Sequence, residues 1–146
     1  MSQVNDLYQR IILDHGKNPR HFVANSDATH RATGNNPVCG DKIELFLEVV
    51  GPRIRAASFI GHSCAVCTAS ASLMTEKLVG MTVDEAIDLN AKFDRLMKEE
   101  QLDESLGDVA ALCGVRRFPV RVKCATLPWQ TFRSALEGNA EATTES

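Results

Sequence analysis

Three short segments carry the residues best suited to chemistry: Asn36-Pro37-Val38-Cys39-Gly40-Asp41, Gly61-His62-Ser63-Cys64 and Lys123-Cys124-Ala125-Thr126. Each sets a cysteine at a junction between structural elements, where the chain turns and backbone amides are free to face an anion. If the three junctions converge, Cys39, Cys64 and Cys124 offer three soft thiolates. Asp41 adds one hard carboxylate oxygen, completing the tetrahedral shell that zinc prefers. Thiolates gathered that closely raise one another's pKa unless a cation lies between them. A helix beginning just after Cys64, and another beginning near Cys124, would favour anionic sulfur at both positions.

The other candidate groups point to less. Cys64 and Cys67 form a CxxC, the spacing of a redox dithiol or of half a zinc ribbon, but no second pair completes a ribbon. Cys67 reads as a small core residue one turn into a helix, and Cys113, before Gly114, as a buried or incidental thiol. His15, His21, His30 and His62 form no HExxH or HxE pattern, which removes the zincin protease and zinc deaminase classes. His62, two residues before Cys64, is a spare ligand at most.

These residues need elements to position them. Apolar residues Leu7, Tyr8, Ile11 and Ile12 recur at helical spacing over residues 4–15, with Gly16 and Pro19 as stop signals. Residues 18–37 read as a loop with one short edge strand near 31–33. Residues 42–50 and 53–61 are β-rich and flank Gly51-Pro52, which predicts an antiparallel hairpin ending just before Cys64. Small residues with Leu73, Met74 and Leu78 predict a helix over 65–79. Thr82 with Glu85 predicts a capping box opening a helix to about Glu100. Residues 106–112 suggest one or two helical turns. A last helix is expected after Cys124, with Pro128 in its first turn and Trp129, Phe132 and Leu136 on one face. The expected fold is therefore α+β: an N-terminal helix, a small antiparallel sheet of about three strands, and helices on one face. Residues 1–137 would form a single domain, and residues 138–146 a frayed, disordered tail.

The three cysteine segments also suggest a family. Together with Ala69-Ser70-Ala71-Ser72, the run from Phe118 through Lys123-Cys124 to Trp129, the opening Leu7 to His15 segment and Asn18-Pro19-Arg20, they resemble the SufU and IscU proteins of iron-sulfur cluster assembly, the NifU N-terminal family. Lys123 stands where IscU proteins have a histidine, and the long segment of residues 80–112 separates the middle and last cysteines; both features point to the SufU branch. That resemblance implies zinc held by Cys39, Asp41, Cys64 and Cys124, and implies Cys39 as the acceptor of persulfide sulfur from a pyridoxal-phosphate cysteine desulfurase. It also implies downstream cluster assembly proteins as partners, and a sulfurtransferase-like acceptor in place of a free-standing catalyst. Arg121 and Lys123, in the Arg-x-Lys-Cys segment, are the expected supporting or partner-contacting residues. Two alternatives stand beside this: an IscU-like scaffold building a labile 2Fe-2S cluster or binding iron on the same four residues, and a structural zinc module that only binds partners.

Composition narrows the field. Over 146 residues, hydrophobic types make up 44% and charged types 24%, the balance of a globular protein that can bury roughly 70% of its unfolded surface. Sixteen basic against nineteen acidic residues give a net charge of −3, which argues against nucleic acid as a partner. The apolar runs are too short and too interrupted for a membrane span. Residues 1–10 lack the positive start and apolar core of a secretory signal, and the odd number of cysteines suits a reducing compartment, so the expected location is the cytoplasm. Charge is polarised along the chain. Residues 84–104 hold eight acids against three bases, whereas residues 115–136 hold Arg116, Arg117, Arg121, Lys123 and Arg133 and no acid. The basic segment surrounds Cys124 and could steer an acidic partner towards it.

Overall fold

The computed structural model describes residues 3–144. The chain runs α1 (Gln3–Lys17), β1 (His30–Asn36), β2 (Asp41–Val50), β3 (Arg53–His62), α2 (Ala65–Leu78), α3 (Val83–Glu99), a 3-10 segment (Glu104–Val115), α4 (Pro119–Glu137) and β4 (Glu141–Thr143). The architecture is α+β, as expected, but the sheet has four strands in the order β3-β2-β1-β4, antiparallel except for β1 with β4.

Alternation along β2 decides which face of the sheet is inside. Ile43, Leu45 and Leu47 are fully buried, and Leu45 and Leu47 pair with Phe59 and Ala57 of β3 on the same face. Lys42, Glu44, Phe46 and Glu48 point the other way, where Arg31 of β1 lays its guanidinium 4.8 Å from the centre of the Phe46 ring. Gly51, at φ +59°, makes the turn to β3. The expected edge strand at 31–33 is instead an interior strand of seven residues, flanked by β2 on one side and β4 on the other.

Helix α2 is built of small residues because it is enclosed on several sides. Ala69, Ser70, Ala71 and Ser72 are all buried, and the helix packs against α1, α4, β3 and the 3-10 segment. Its neighbour α1 contributes Tyr8, Ile11 and Ile12 to the core and buries His15. Leu7, expected on that apolar face, is 51% exposed. Helix α3 opens on the expected capping box: Glu85 N–H donates to Thr82 Oγ1 at 3.1 Å and Thr82 N–H to Glu85 Oε1 at 2.9 Å. The predicted turn or two near 106–112 is a twelve-residue 3-10 segment kinked at Gly107.

Helix α4 departs most from expectation. It starts at Pro119, not near Pro128, so Cys124 lies in its second turn and not ahead of its N-terminus. Either proline is compatible with a first turn, but Pro119 occupies it, and Pro128 sits inside the helix, where its missing N–H leaves the Cys124 carbonyl without its usual donor. Burial keeps the helix continuous across that gap: Trp129 stacks on Phe93 with ring centres 4.4 Å apart, and Trp129 and Phe132 are fully buried. Ser70 Oγ bridges α2 to α4, donating to the Ala125 carbonyl at 2.6 Å and accepting from Trp129 Nε1 at 3.1 Å. Helix and sheet meet at Gly34, where any β-carbon would run into Thr131 Oγ1.

Past the left-handed cap at Gly138, the segment read as a frayed tail carries β4. Its charged and small residues give no alternating pattern; what makes it a strand is the open edge of β1.

Candidate metal centre

The β1-β2 hairpin delivers two of the candidate residues. Asn36 and Asp41 pair across its end, so Asp41 is the first residue of β2, and Cys39 stands on the connecting loop one residue before Gly40, which takes φ +74°. Cys39 is exposed, whereas Asp41 is 2% and Cys124 1% exposed. The ligand atoms of Cys39, Asp41 and Cys124 all lie within 4.8 Å of one another, and the two sulfurs are 3.5 Å apart. Two of the three cysteine junctions therefore converge on Asp41.

Cys64 joins from the other side of the carboxylate. It is half-buried and is the N-cap of α2, and its backbone N–H donates to Asp41 Oδ1 at 2.8 Å. Its sulfur accepts from the Cys67 N–H at 3.4 Å. That geometry explains the CxxC spacing: three residues separate an N-cap from the amide it satisfies, and Cys67 contributes its backbone while its thiol is fully buried. Burial pushes the Cys67 thiol up, which suits a core residue and opposes a redox dithiol. Burial also pushes the Cys124 thiol up, as do its hydrogen bonds with Asp41, Cys39 and Cys64. Cys64 thus touches Asp41 through its amide and Cys124 through its thiol, while its sulfur stands outside the 4.8 Å grouping of Cys39, Asp41 and Cys124.

Asn36 is the residue that sequence reasoning named only as part of a motif. Completely buried, it donates from Nδ2 to Asp41 Oδ2 at 3.0 Å and towards Cys124 Sγ at 3.6 Å. Both carboxylate oxygens of Asp41 are thus held, one by a side chain from β1 and one by the N-cap amide of α2. The one local sign of it in the sequence is the Asn36-Pro37 step; its position opposite Asp41 is set by the β1-β2 register.

The remaining candidates lie outside this cluster. Arg121 is exposed on the first turn of α4, three residues before Cys124, and Lys123 is half-buried. Two of the five basic residues of this region face α3: Arg116 pairs with Glu100 at 3.1 Å and Arg133 with Asp94 at 3.1 Å. His62 is exposed opposite Lys42, and Cys113 is half-buried at the end of the 3-10 segment with its thiol pushed up by burial and by Glu100.

The donor set fits a thiophilic cation. Two thiol sulfurs and a carboxylate oxygen converge with a third thiol at their edge, in a chain without a zinc-ribbon second pair. Removing the thiol protons would gather negative charge that only a cation could balance. Zinc satisfies this mixture of sulfur and oxygen, and iron in a cluster accepts the same sulfurs.

The chain matches the model of the NifU-like N terminal domain over residues 7–125. It is 37% identical to the zinc-dependent sulfurtransferase SufU of Bacillus subtilis (strain 168), over 92% of each chain. It is 35% identical to the iron-sulfur cluster assembly scaffold protein IscU of Streptococcus pyogenes serotype M1, over 97% of this chain and 90% of that one. Among solved structures it superposes with a TM-score of 0.83 and 32% identity on a candidate iron-sulfur cluster assembly scaffold protein for the SUF system from Fervidobacterium islandicum AW-1, covering 90% of this chain and 98% of that one. Motif order, fold and similarity agree, and the chain belongs to the NifU-like N-terminal domain family of iron-sulfur cluster assembly proteins.

Proposed function

We propose that this protein is a zinc-dependent sulfur acceptor that serves a pyridoxal-phosphate cysteine desulfurase and passes sulfur on to cluster assembly. The observation that carries this reading is the contrast within one cluster: Cys39 is exposed on a hairpin loop, while its neighbours Asp41 and Cys124 are buried. Cys39, Asp41, Cys64 and Cys124 would hold zinc, which when bound keeps the thiolates anionic at neutral pH. Cys39 is the one of the four a large partner can reach. Its thiolate attacks the terminal sulfur of the partner's persulfide, R–S–SH. A new sulfur-sulfur bond forms on Cys39, the partner's sulfur-sulfur bond breaks, and R–S⁻ leaves with the electron pair. The terminal sulfur moves with its proton, and no external oxidant is needed.

The surroundings of Cys39 suit a macromolecular partner. Val38, Phe118 and Val120 are exposed around the loop and the start of α4, and Arg117 and Arg121 are exposed beside them. With Arg116 and Arg133 turned onto α3, these two arginines are where steering of an acidic rim concentrates.

A scaffold for a labile 2Fe-2S cluster on the same four residues is the second reading, favoured by the similarity to the Streptococcus protein and by the single oxygen donor among sulfurs. Metal analysis and visible absorbance of protein purified under reducing conditions separate the two. Zinc near one equivalent with a colourless sample supports the acceptor; iron with labile sulfide and visible bands supports the scaffold. Zinc with no effect on desulfurase turnover would leave the structural module.

A further inference from the structure

The C-terminal strand ends against the metal centre. β4 is fixed to β1 at both ends: Thr33 N–H donates to the Ala140 carbonyl at 2.8 Å, and Thr144 N–H donates to the Asn35 carbonyl at 3.1 Å. That pinning places the Thr144 side chain beside the buried Asn36 amide. Thr144 Oγ1 donates to Asn36 Oδ1 at 3.0 Å.

A carboxamide can sit either way round, and the two orientations exchange donor for acceptor. With Oδ1 engaged by Thr144, both hydrogens of Nδ2 are directed inward, one to Asp41 Oδ2 and one towards Cys124 Sγ. A chain of hydrogen bonds therefore runs from the last strand through Asn36 to two groups of the cluster, and it spans 108 residues of sequence from Asn36 to Thr144. Groups that orient a metal's ligands from behind set how tightly and in what geometry the metal is held.

We propose that β4 and Thr144 form a strap on the metal centre, with Thr144 and Asn36 acting as positioning residues that hold Asp41 and Cys124 in their ligating geometry. The proposal rests on the zinc reading above. Its consequence is that β4 and Thr144 tune zinc affinity although neither supplies any of the four ligands.

The test uses the full-length protein. Zinc affinity is measured by competition with a chromogenic chelator, and ligand geometry by the visible spectrum of the cobalt-substituted protein. Thr144→Val, which keeps the shape and removes the hydroxyl, is expected to weaken zinc binding about tenfold and to shift the cobalt bands, as loss of a hydrogen bond behind a ligand does. Thr144→Ser should restore both to wild-type values, and Asn36→Ala should weaken binding at least as much as Thr144→Val. Unchanged affinity and cobalt spectrum in Thr144→Val would overturn the strap, even if the metal-free variant melts at a lower temperature, because β4 would then only support the fold. A wild-type protein that binds zinc no better than its Cys39→Ser/Cys124→Ser variant would instead overturn the zinc reading, and the strap with it.

Discussion

At the scale of single residues, the odd member of the cluster is Asp41. An oxygen among sulfurs makes a zinc site more exchangeable than four thiolates would, and exchange is what a sulfur acceptor requires if Cys39 is to leave the metal and attack. Asp41→Cys is therefore expected to slow zinc release to a competing chelator by about tenfold, ~1.4 kcal/mol in the barrier, and to lower sulfur acceptance. Equal release rates would remove lability as the reason for the carboxylate. Cys39 and Asp41 are legible in the sequence because both belong to one short motif. The part played by Asn36 is not, since its contacts depend on the hairpin register that sets it opposite Asp41 and on a residue 108 positions away.

At the scale of elements, the cluster depends on α2 and α4 lying side by side, and Ser70 is the clearest polar tie between them. Ser70→Ala would leave the buried Trp129 Nε1 without its acceptor and the Ala125 carbonyl without that donor. The expected cost is about 2 kcal/mol, a melting temperature lower by about 4–8 °C, readable by calorimetry of the metal-free protein. A shift under 1 °C would show that the two helices hold without it. Local chemistry made several elements legible: Thr82 with Glu85 marks the start of α3, and Gly51-Pro52 marks the turn between β2 and β3. The start of α4 was not, because Pro119 and Pro128 send the same local signal and only the burial of Cys124, Ala125 and Leu127 ahead of Pro128 decides between them. Nor was β4, whose three residues owe their conformation to a neighbour distant in sequence.

At the scale of the whole molecule, α1 is joined to α2 through a buried histidine. His15 Nδ1 lies 2.7 Å from Ser72 Oγ, which also accepts from the Arg20 N–H at 2.8 Å, and burial holds the His15 pKa below its ordinary value of 6.5. In the unfolded chain His15 takes up its proton near pH 6.5, so the unfolded state binds more protons as pH falls below that point, and stability falls with it. Melting temperature should decline below about pH 6.5, and His15→Gln should flatten that decline; parallel profiles would assign the acid sensitivity elsewhere. Among the described residues no helix is long and apolar enough to cross a membrane. What remains is whether this fold, with its one exposed cysteine at a buried cluster, takes sulfur from a partner. The most direct measurement is the rate of alanine release from cysteine by a pyridoxal-phosphate cysteine desulfurase, with the zinc-loaded protein or its Cys39→Ala variant added. Turnover should rise with the wild-type protein and not with Cys39→Ala; equal turnover with both would contradict sulfur acceptance at Cys39.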